Sequence, residues 1–552
     1  MRTRAARLAA VLLAAVSLVG GAAAQQAKAG WESDIVLTAM DAELRRSKEL
    51  KLDGVQPPYF IQYNVTDIDG YGAESAFGIL RNEQRVRVRM VRVVVRVGDY
   101  KQDSYFGEGE GTVQLLPIEN DTIALRHQLW GATDKAYKSA VEALSAKQAA
   151  LKQFEVDQQQ KQLDDFSHEA PTDVLELLSG LELGARKWPE VLNMVSGLYR
   201  QDPETQSFEA ELKFAHVNRY MVNSEGTIAR TGQSTYQLRI SGSGQAPDGM
   251  RVWRSRVYTA DRVTDLPSDD QIRADALDLL ATVKALRGAP LVDDEYRGPV
   301  LLGPDAAATA FYNLVGENAL GRRPRPGVPS RTTGAYANSY KALVLPDFVS
   351  IVDDPTRKEI QGRRLLGSYS IDDEGVVPQA VPVVDAGILA NYLVGRQPIR
   401  DFPKSNGHGR GAAAQPAGPR VGNLIVSSAK THPPEFLKQE LLDLCRKREL
   451  RYGYYVESFG PGSTPQLIYR VWANDGHEEI VRGAEFSELD IRAIRHGILD
   501  LGDDVRVRNS LEPVPHAVAS PSVLMDELVV KRTSSTKDKL PHYPAPPLSV
   551  AR

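Results

Sequence analysis

The 552-residue chain has little cysteine and little net charge, and both shortages limit what it can do. Cys445 is the one cysteine, so no internal disulfide bond can form. It lies in "PPEFLKQELLDLCRKREL" beside Leu437, Leu441 and Leu444 at helical spacing, which predicts a small core residue rather than a catalytic thiol. The formal net charge of −4 gives no reason to expect nucleic acid as a partner.

The chain also lacks the common short motifs of catalysis. There is no His-Glu-x-x-His, no Walker loop, no dinucleotide fingerprint and no Gly-x-Ser-x-Gly elbow. The His-Glu pairs at 168–169 and 477–478 have no second histidine at ligand spacing, so they are interpreted as surface pairs. The acids of "DDP" at 353–355 and "DDEG" at 372–375 have cation-binding chemistry, but Asp and Gly also form ordinary turns, which we favour.

Long apolar runs are absent except at the N-terminus, where three arginines precede "LAAVLLAAVSLVGG". Small residues at 22–24 then offer a cleavage site, which completes the pattern of an export signal over residues 1–24. The apolar run is shorter than the roughly 20 residues that span a bilayer, which favours cleavage over the alternative of an uncleaved membrane anchor. We therefore expect a mature chain that starts near Gln25, has no transmembrane anchor and is periplasmic or secreted.

Beyond the signal, the patterning predicts an α+β protein. A mixed N-terminal region over 25–290 has long strands and a long helix, and a C-terminal domain over 291–533 is largely antiparallel β. Residues 534–552 are polar and proline-rich, which predicts a disordered tail. Helical periodicity marks three N-terminal segments: 33–52, a polar 133–165 that resembles a surface arm, and 268–287.

The clearest strand is "RVRVRMVRVVVRV" at 85–97. Arg85, Arg87 and Arg89 alternate with apolar residues, but the phase slips by one after that point. A β-bulge near Met90–Val91 is expected to keep the later arginines outward, as on the solvated face of an antiparallel sheet. The alternative is a basic face that binds a ligand.

Residues 298–323, "GPVLLGPDAAATAFYNLVGENALGRR", predict a buried strand, a tight turn and a helix. Pro304 and Asp305 suit the first helical turn, since proline needs no amide hydrogen there and an acid complements the helix dipole. The helix then carries Tyr312, Asn313 and Glu317 in what is otherwise an apolar segment. Polar residues in such a place indicate a site.

Several segments of the C-terminal half follow one another in a distinctive order. They are "YRGPVLLGPDAAATAF", "DDP", "SYSIDDEGVVPQAVPVVDAGILANYLV", "SNGHGRG" with "GPRVGNLIV", and "EEIVRGAEF". In this order and spacing they resemble the C-terminal domain of the TldD/PmbA metallopeptidase family, the modulator of DNA gyrase family. The first half looks like the family's N-terminal region, so the resemblance implies the family's fold for nearly the whole mature chain.

In active members of that family, the helix after the "GPVLL" strand carries His-Glu-x-x-x-His. Alignment on Val315–Gly316 places Tyr312, Asn313 and Glu317 at those three positions. Active members also use a cysteine in a late loop, whereas the matching segment here, 501–522, has none. The resemblance therefore implies a vestigial site with no zinc, no other metal and no catalytic residues in this chain.

The same resemblance implies a role and partners. Arg420 and Asn423, within "GPRVGN", are expected to border the substrate groove. The family includes pairs in which a zinc-bearing subunit and a sibling without ligands enclose a chamber that admits unfolded or small peptides. This chain looks like the ligand-free sibling, a pseudoenzyme that pairs with a zinc-bearing relative or forms a homodimer.

Two alternatives remain open at the level of sequence. One is a working metallopeptidase with relocated ligands, in which Glu317 combines with His408, His496 or His516. The other is a binding or assembly protein with no part in proteolysis.

Overall fold

The computed structural model describes residues 30–51, 54–105, 111–152, 163–325, 328–534 and 538. The predicted export signal at 1–24 lies outside these residues, as does the predicted tail apart from residues 534 and 538. Within the described ranges, no helix is long and apolar enough to cross a membrane.

The N-terminal half is a mostly antiparallel sheet that carries helices. Its strands are β1 (Pro58–Ala76), β2 (Ile79–Val97), β3 (Thr112–Leu116), β4 (Asp173–Leu175), β5 (Ser207–Asn223), β6 (Ile228–Gln245) and β7 (Arg251–Ala260). They lie in the order β3-β2-β1-β5-β6-β4, and β7 also pairs with β6. The helices are α1 (Ile35–Ser47), α2 (Thr122–Leu151), α3 (Trp188–Ser196) and α4 (Asp269–Gly288).

These helices cover one face of the sheet, in two clusters. Helices α1 and α2 pack against the valines of β2, from Val91 to Val97, while α3 and α4 pack against Phe208 and Phe214 of β5. Alternate residues of the strands point to the other face, which meets loops of the C-terminal half. The helices predicted over 33–52 and 268–287 are confirmed as α1 and α4.

The helix predicted over 133–165 differs from the structure in position and in packing. Helix α2 begins at Thr122, where the Asp121 side chain accepts a hydrogen bond from the Ala124 amide at 2.7 Å. It buries Leu125, Leu129 and further small or apolar residues at helical spacing, so it is a packed element and not a surface arm. The helix ends at Leu151, and residues 153–162 lie outside the described part of the chain.

The bulge expected near Met90–Val91 is wrong. Strands β1 and β2 pair without interruption there, with Thr66 opposite Met90 and Val65 opposite Val91. Arg92 and Arg96 consequently lie on the face opposite to Arg85, Arg87 and Arg89, and three of these arginines are buried: Arg89, Arg92 and Arg96. Partners within reach make this possible, because Arg89 lies 2.6 Å from the Asp67 carboxylate and Arg96 binds Asp103.

The C-terminal half contains two larger sheets and two small strand pairs. The strands are β8 (Glu295–Leu302), β9 (Val349–Asp353), β10 (Glu359–Ile360), β11 (Arg363–Arg364), β12 (Val381–Asp385), β13 (Ile388–Leu389), β14 (Gly409–Arg410), β15 (Gly418–Pro419), β16 (Asn423–Ser428), β17 (Thr431–His432), β18 (Tyr452–Phe459), β19 (Pro465–Trp472), β20 (Glu478–Val481), β21 (Ala484–Phe486), β22 (Ile498–Gly502), β23 (Arg506–Ser510), β24 (His516–Ser520) and β25 (Val523–Arg532). The helices are α5 (Pro304–Phe311), α6 (Pro434–Lys447) and α7 (Ile491–Gly497).

The larger sheets run in the orders β17-β22-β25-β8-β18-β19-β20, with β21 on β25, and β13-β12-β9-β16-β24-β23. Most neighbouring strands are antiparallel, although β8 pairs with β18 and β16 with β24 in parallel. Helix α5 lies in the core that both sheets share. The predicted α+β fold, with a largely antiparallel β C-terminal half, is confirmed. The core position of Cys445 is confirmed as well, since its side chain is 0% exposed, on the buried face of α6 together with Leu441.

Candidate functional site

The predicted site begins where helix α5 changes its winding. Gly303 precedes the helix, Pro304 occupies its first turn, and alanines 306–308 bury its inner face. After Phe311 the chain forms a π-helical turn over Tyr312–Gly316 and then a 3₁₀ turn over Glu317–Ala319. Such wide turns inside helices occur frequently at functional sites.

Gly316 lets the "GPRVGN" segment approach this π-helical turn. A Cβ atom at Gly316 would lie 3.1 Å from Val421 Cγ2, closer than an ordinary contact. The loop that carries Arg420 and Asn423 therefore packs directly on the segment that carries Tyr312 and Glu317.

Tyr312 and Glu317 are joined to each other. The Tyr312 hydroxyl donates to Glu317 Oε1 at 2.9 Å, and its ring stacks on the His516 imidazole with centroids 4.5 Å apart. Burial and the neighbouring Glu317 charge raise the pKa of Tyr312 well above its ordinary value, so the phenol stays protonated. The other Glu317 oxygen lies 3.6 Å from Arg322 Nη2.

Asn313 points elsewhere. Its amide nitrogen donates to Ser463 Oγ at 2.9 Å, in the turn that follows β18. Of the three predicted site residues, the structure brings Tyr312 and Glu317 together, whereas Asn313 contacts the turn that follows β18.

Arg420 and Asn423 differ in their surroundings. Arg420 is half-buried, and its charge acts on the Tyr312 hydroxyl. Asn423 is only 1 % exposed, and its amide donates to the carbonyls of Asp354 at 3.0 Å and Arg357 at 2.9 Å. Asn423 therefore holds the loop from within, while Arg420 lies beside Tyr312.

A buried Asp–His pair supports the same loop. Asp353 Oδ1 lies 3.1 Å from His408 Nε2, and its oxygens accept from the Gly422 amide at 3.1 Å and the Asn423 amide at 3.2 Å. Sequence reasoning missed this pair, because 55 residues separate its members and "DDP" is also a common turn pattern. The turn interpretation itself holds for Asp354, whose side chain accepts from the Thr356 amide at 3.0 Å.

"DDEG" is also a turn, with an unexpected degree of burial. Asp372 accepts from the amides of Glu374 at 3.0 Å and Val376 at 2.8 Å, which closes the turn. Burial raises the pKa of both Asp372 and Glu374 above their ordinary values, because it penalises the charged form.

The histidines named as relocated ligands do not converge. His516 is buried against Tyr312, its Nδ1 lies 2.9 Å from the Val514 carbonyl, and burial lowers its pKa. His408 is held by Asp353, whereas His496 is exposed on α7. Over the described ranges, no group of three or more His, Cys, Asp or Glu side chains is arranged to hold a metal ion.

A cleft of about 1830 Å³ lies in front of this site. Tyr312, Asn313 and His516 line it from the C-terminal half, and Trp253 and Arg254 of β7 line it from the N-terminal half. The site is therefore open to a ligand larger than a metal ion or a water molecule.

The residues present do not fit a catalytic zinc, which is usually bound by three nitrogen, sulfur or carboxylate ligands and one water. Tyr312 is a protonated phenol, Asn313 is a neutral amide bound to Ser463, and Glu317 is occupied by a hydroxyl donor. Cys445 lies on a different helix, α6, and burial raises its thiol pKa to about 11. What remains can bind polar groups of a ligand through hydrogen bonds.

Comparison with known proteins gives a consistent assignment. Residues 295–532 match the family described as the PmbA/TldA metallopeptidase C-terminal domain. A metalloprotease TldD homolog of Buchnera aphidicola (Schizaphis graminum) is 23% identical over 355 residues, which is 60% of this chain and 70% of the relative. Another TldD homolog, from Haemophilus influenzae, is 24% identical over 377 residues, covering 62% of this chain and 72% of the relative.

Solved structures share the fold at low sequence identity. A putative modulator of a DNA gyrase from Thermotoga maritima aligns with a TM-score of 0.60 at 15% identity, covering 89% of this chain and 99% of that one. TldE from Thermococcus kodakarensis aligns with a TM-score of 0.59 at 11% identity, with the same coverage. At these identities the likeness establishes the fold and leaves the chemistry to the residues themselves.

Proposed function

The chain belongs to the TldD/PmbA metallopeptidase family, and we propose that it serves there as a subunit without catalytic zinc. The observation that carries the proposal is the hydrogen bond from Tyr312 to Glu317, at positions where active members are expected to bind the metal. A phenol that stays protonated and a carboxylate that already accepts a hydrogen bond leave no set of three ligands at this place.

The proposed role is to line a chamber that admits unfolded or small peptides. The cleft of about 1830 Å³ supports it, because this volume exceeds the roughly 300–1000 Å³ of an ordinary small-molecule pocket. Its walls offer donors and acceptors suited to a peptide backbone, among them Asn313, and an exposed aromatic ring, Trp253. Arg420, beside Tyr312, adds a cation near the vestigial site.

The proposed partner is a zinc-bearing relative of the same family, which supplies the peptidase chemistry, or a second copy of this chain. The proposed location is periplasmic or secreted, and it rests on the signal pattern of residues 1–24. The relocated-ligand alternative has less support, since His408 and His516 are each engaged by other groups and His496 is exposed on α7.

Purification of the tagged chain from its native source tests the pairing. We expect a zinc-bearing family member to copurify, and peptidase activity to disappear when the ligand histidines of that relative are replaced. As a matched control, Tyr312→Phe in this chain keeps ring stacking on His516 and should leave the activity of the pair nearly unchanged.

Chelator-sensitive cleavage of peptides by the chain on its own would instead favour relocated ligands. If no family member copurifies, and if removal of this chain leaves proteolysis unaffected, the result would favour the alternative of a binding or assembly protein with no part in proteolysis.

A further inference from the structure

A second cavity, of about 580 Å³, lies between the helix-free face of the N-terminal sheet and loops of the C-terminal half. Its volume is within the range of pockets that hold small ligands or single chemical groups. Arg92 on β2, Arg219 on β5 and Arg410 on β14 line it, so three separate elements each contribute a guanidinium group.

These arginines are placed by the fold and are not mobile surface side chains. Arg92 is 8 % exposed, and its Nη1 donates to the Ala414 carbonyl at 3.1 Å. Arg410 is 4 % exposed and stacks on the Tyr369 ring, with the guanidinium carbon 4.1 Å from the ring centre. Arg219 has a side chain that is 22 % exposed.

One carboxylate, that of Asp373, is shared between two of them. Its oxygens lie 3.6 Å from Arg219 Nε and 3.6 Å from Arg410 Nε, which is attraction without a hydrogen bond of normal length. Asp373 Oδ2 accepts instead from the Gly411 amide at 2.8 Å. Within the described residues, Arg410 Nη1 is buried and has no hydrogen-bond partner. A buried guanidinium donor without an acceptor is unfavourable, so this arrangement favours a further anionic oxygen.

The remaining charges around the cavity do not cancel this excess. Asp261 is paired with Arg364 at 2.6 Å, and Glu176 accepts from the Ser370 hydroxyl at 2.6 Å. Asp372 is buried, and burial raises its pKa well above the ordinary value. Lys358 also lines the cavity and is exposed. Five basic and four acidic side chains line the cavity, so it has an excess of positive charge even with Asp372 ionised.

We propose that this arginine cavity binds the carboxylate of a peptide, either at its C-terminus or on an acidic side chain. A guanidinium group has a planar fork of donors that matches a carboxylate, and three such groups around one cavity favour that anion. Asp261 and Arg364 line both this cavity and the larger cleft, so the two share a wall. The inference rests on the proposed function of the cleft in admitting peptides.

Fluorescence anisotropy with the full mature chain tests the inference. The probes are N-terminally labelled hexapeptides without charged side chains, ending in a free acid or in an amide, and a third amide probe that carries one Glu. We expect the acid to bind about tenfold more tightly than the neutral amide, equivalent to about 1.4 kcal/mol. Tight binding of the Glu-bearing amide would assign the site to side-chain carboxylates, and weak binding would assign it to the C-terminus.

Arg219→Gln and Arg410→Gln should each reduce the preference to about twofold or less. Arg87→Gln is the matched control, because Arg87 is on the same strand as Arg92 but exposed, and it should retain the preference. Because Arg410 packs on Tyr369, its replacement could destabilise the fold, so thermal unfolding of each variant must be measured as well. Arg219 is more exposed, so its variant tests the binding preference independently of that packing.

Equal affinity for acid and amide overturns the inference while leaving peptide binding, and the proposed function, intact. A preference that survives both substitutions also overturns it. Failure to bind any of the three probes overturns it as well, and the proposed function is then judged separately, by copurification with a zinc-bearing relative.

Discussion

One buried carboxylate holds the loop beside Tyr312 and Glu317, and its replacement should lower the stability of the fold. Asp353 is fully buried and receives hydrogen bonds from His408 Nε2, the Gly422 amide and the Asn423 amide, all between 3.1 and 3.2 Å. Asp353→Ala leaves these three donors without their acceptor. At about 1–3 kcal/mol for each unsatisfied buried donor, we expect unfolding to become easier by about 3 kcal/mol or more.

Urea unfolding followed by circular dichroism measures this change. The matched control is Asp354→Ala, since the neighbouring Asp354 side chain caps only a partly exposed turn at Thr356. We expect the control to lose about 1 kcal/mol or less. Asp353→Asn retains one acceptor oxygen and should fall between the two. Losses for Asp353→Ala and Asp354→Ala that agree within about 1 kcal/mol would refute the reasoning.

Two further predictions concern export and the single thiol. N-terminal sequencing of the native protein should give a start near Gln25, and an intact Met1 would contradict the export signal. Cys445 should react slowly with a thiol reagent in the folded protein at pH 8 and quickly in denaturant, because burial raises its pKa from about 9 to about 11. Equal reactivity in the folded and denatured states would refute the burial of this thiol. The raised pKa also makes a contribution to the free energy of unfolding that is complete below pH 9 and is lost as the pH rises towards 11.

Hydrophobic periodicity is sufficient to predict some helices and strands, because their buried residues follow a pattern within one short segment. Helix α4 follows from Ile272, Ala276, Leu279 and Val283, which lie on one face at helical spacing and are buried as a set. Strand β2 shows the limit of this reasoning. Its later arginines alternate with valines as exposed residues would, yet they are buried, because Asp103 and the Ala414 carbonyl, from other parts of the chain, satisfy Arg96 and Arg92.

The candidate site divides in the same way. The sequence predicts Tyr312 and Glu317 on one helix. Residues five apart lie on different faces of an α-helix, so their contact depends on the π-helical turn, which no sequence pattern indicates. Tyr312 stacks on His516, which is far from it in the sequence, so no local sequence pattern predicts this contact. The arginine cavity is also tertiary, since its groups come from β2, β5 and β14.

The metal content of the purified mature chain tests the central claim most directly. After dialysis against a weak chelator, elemental analysis should find far less than one zinc ion per chain, and the chain alone should cleave no peptide. The triple variant Tyr312→His, Asn313→Glu and Glu317→His should bind zinc more tightly, even though the late loop at 501–522 offers no cysteine. Close to one zinc ion per unmodified chain, released together with peptidase activity, would contradict the account and favour relocated ligands.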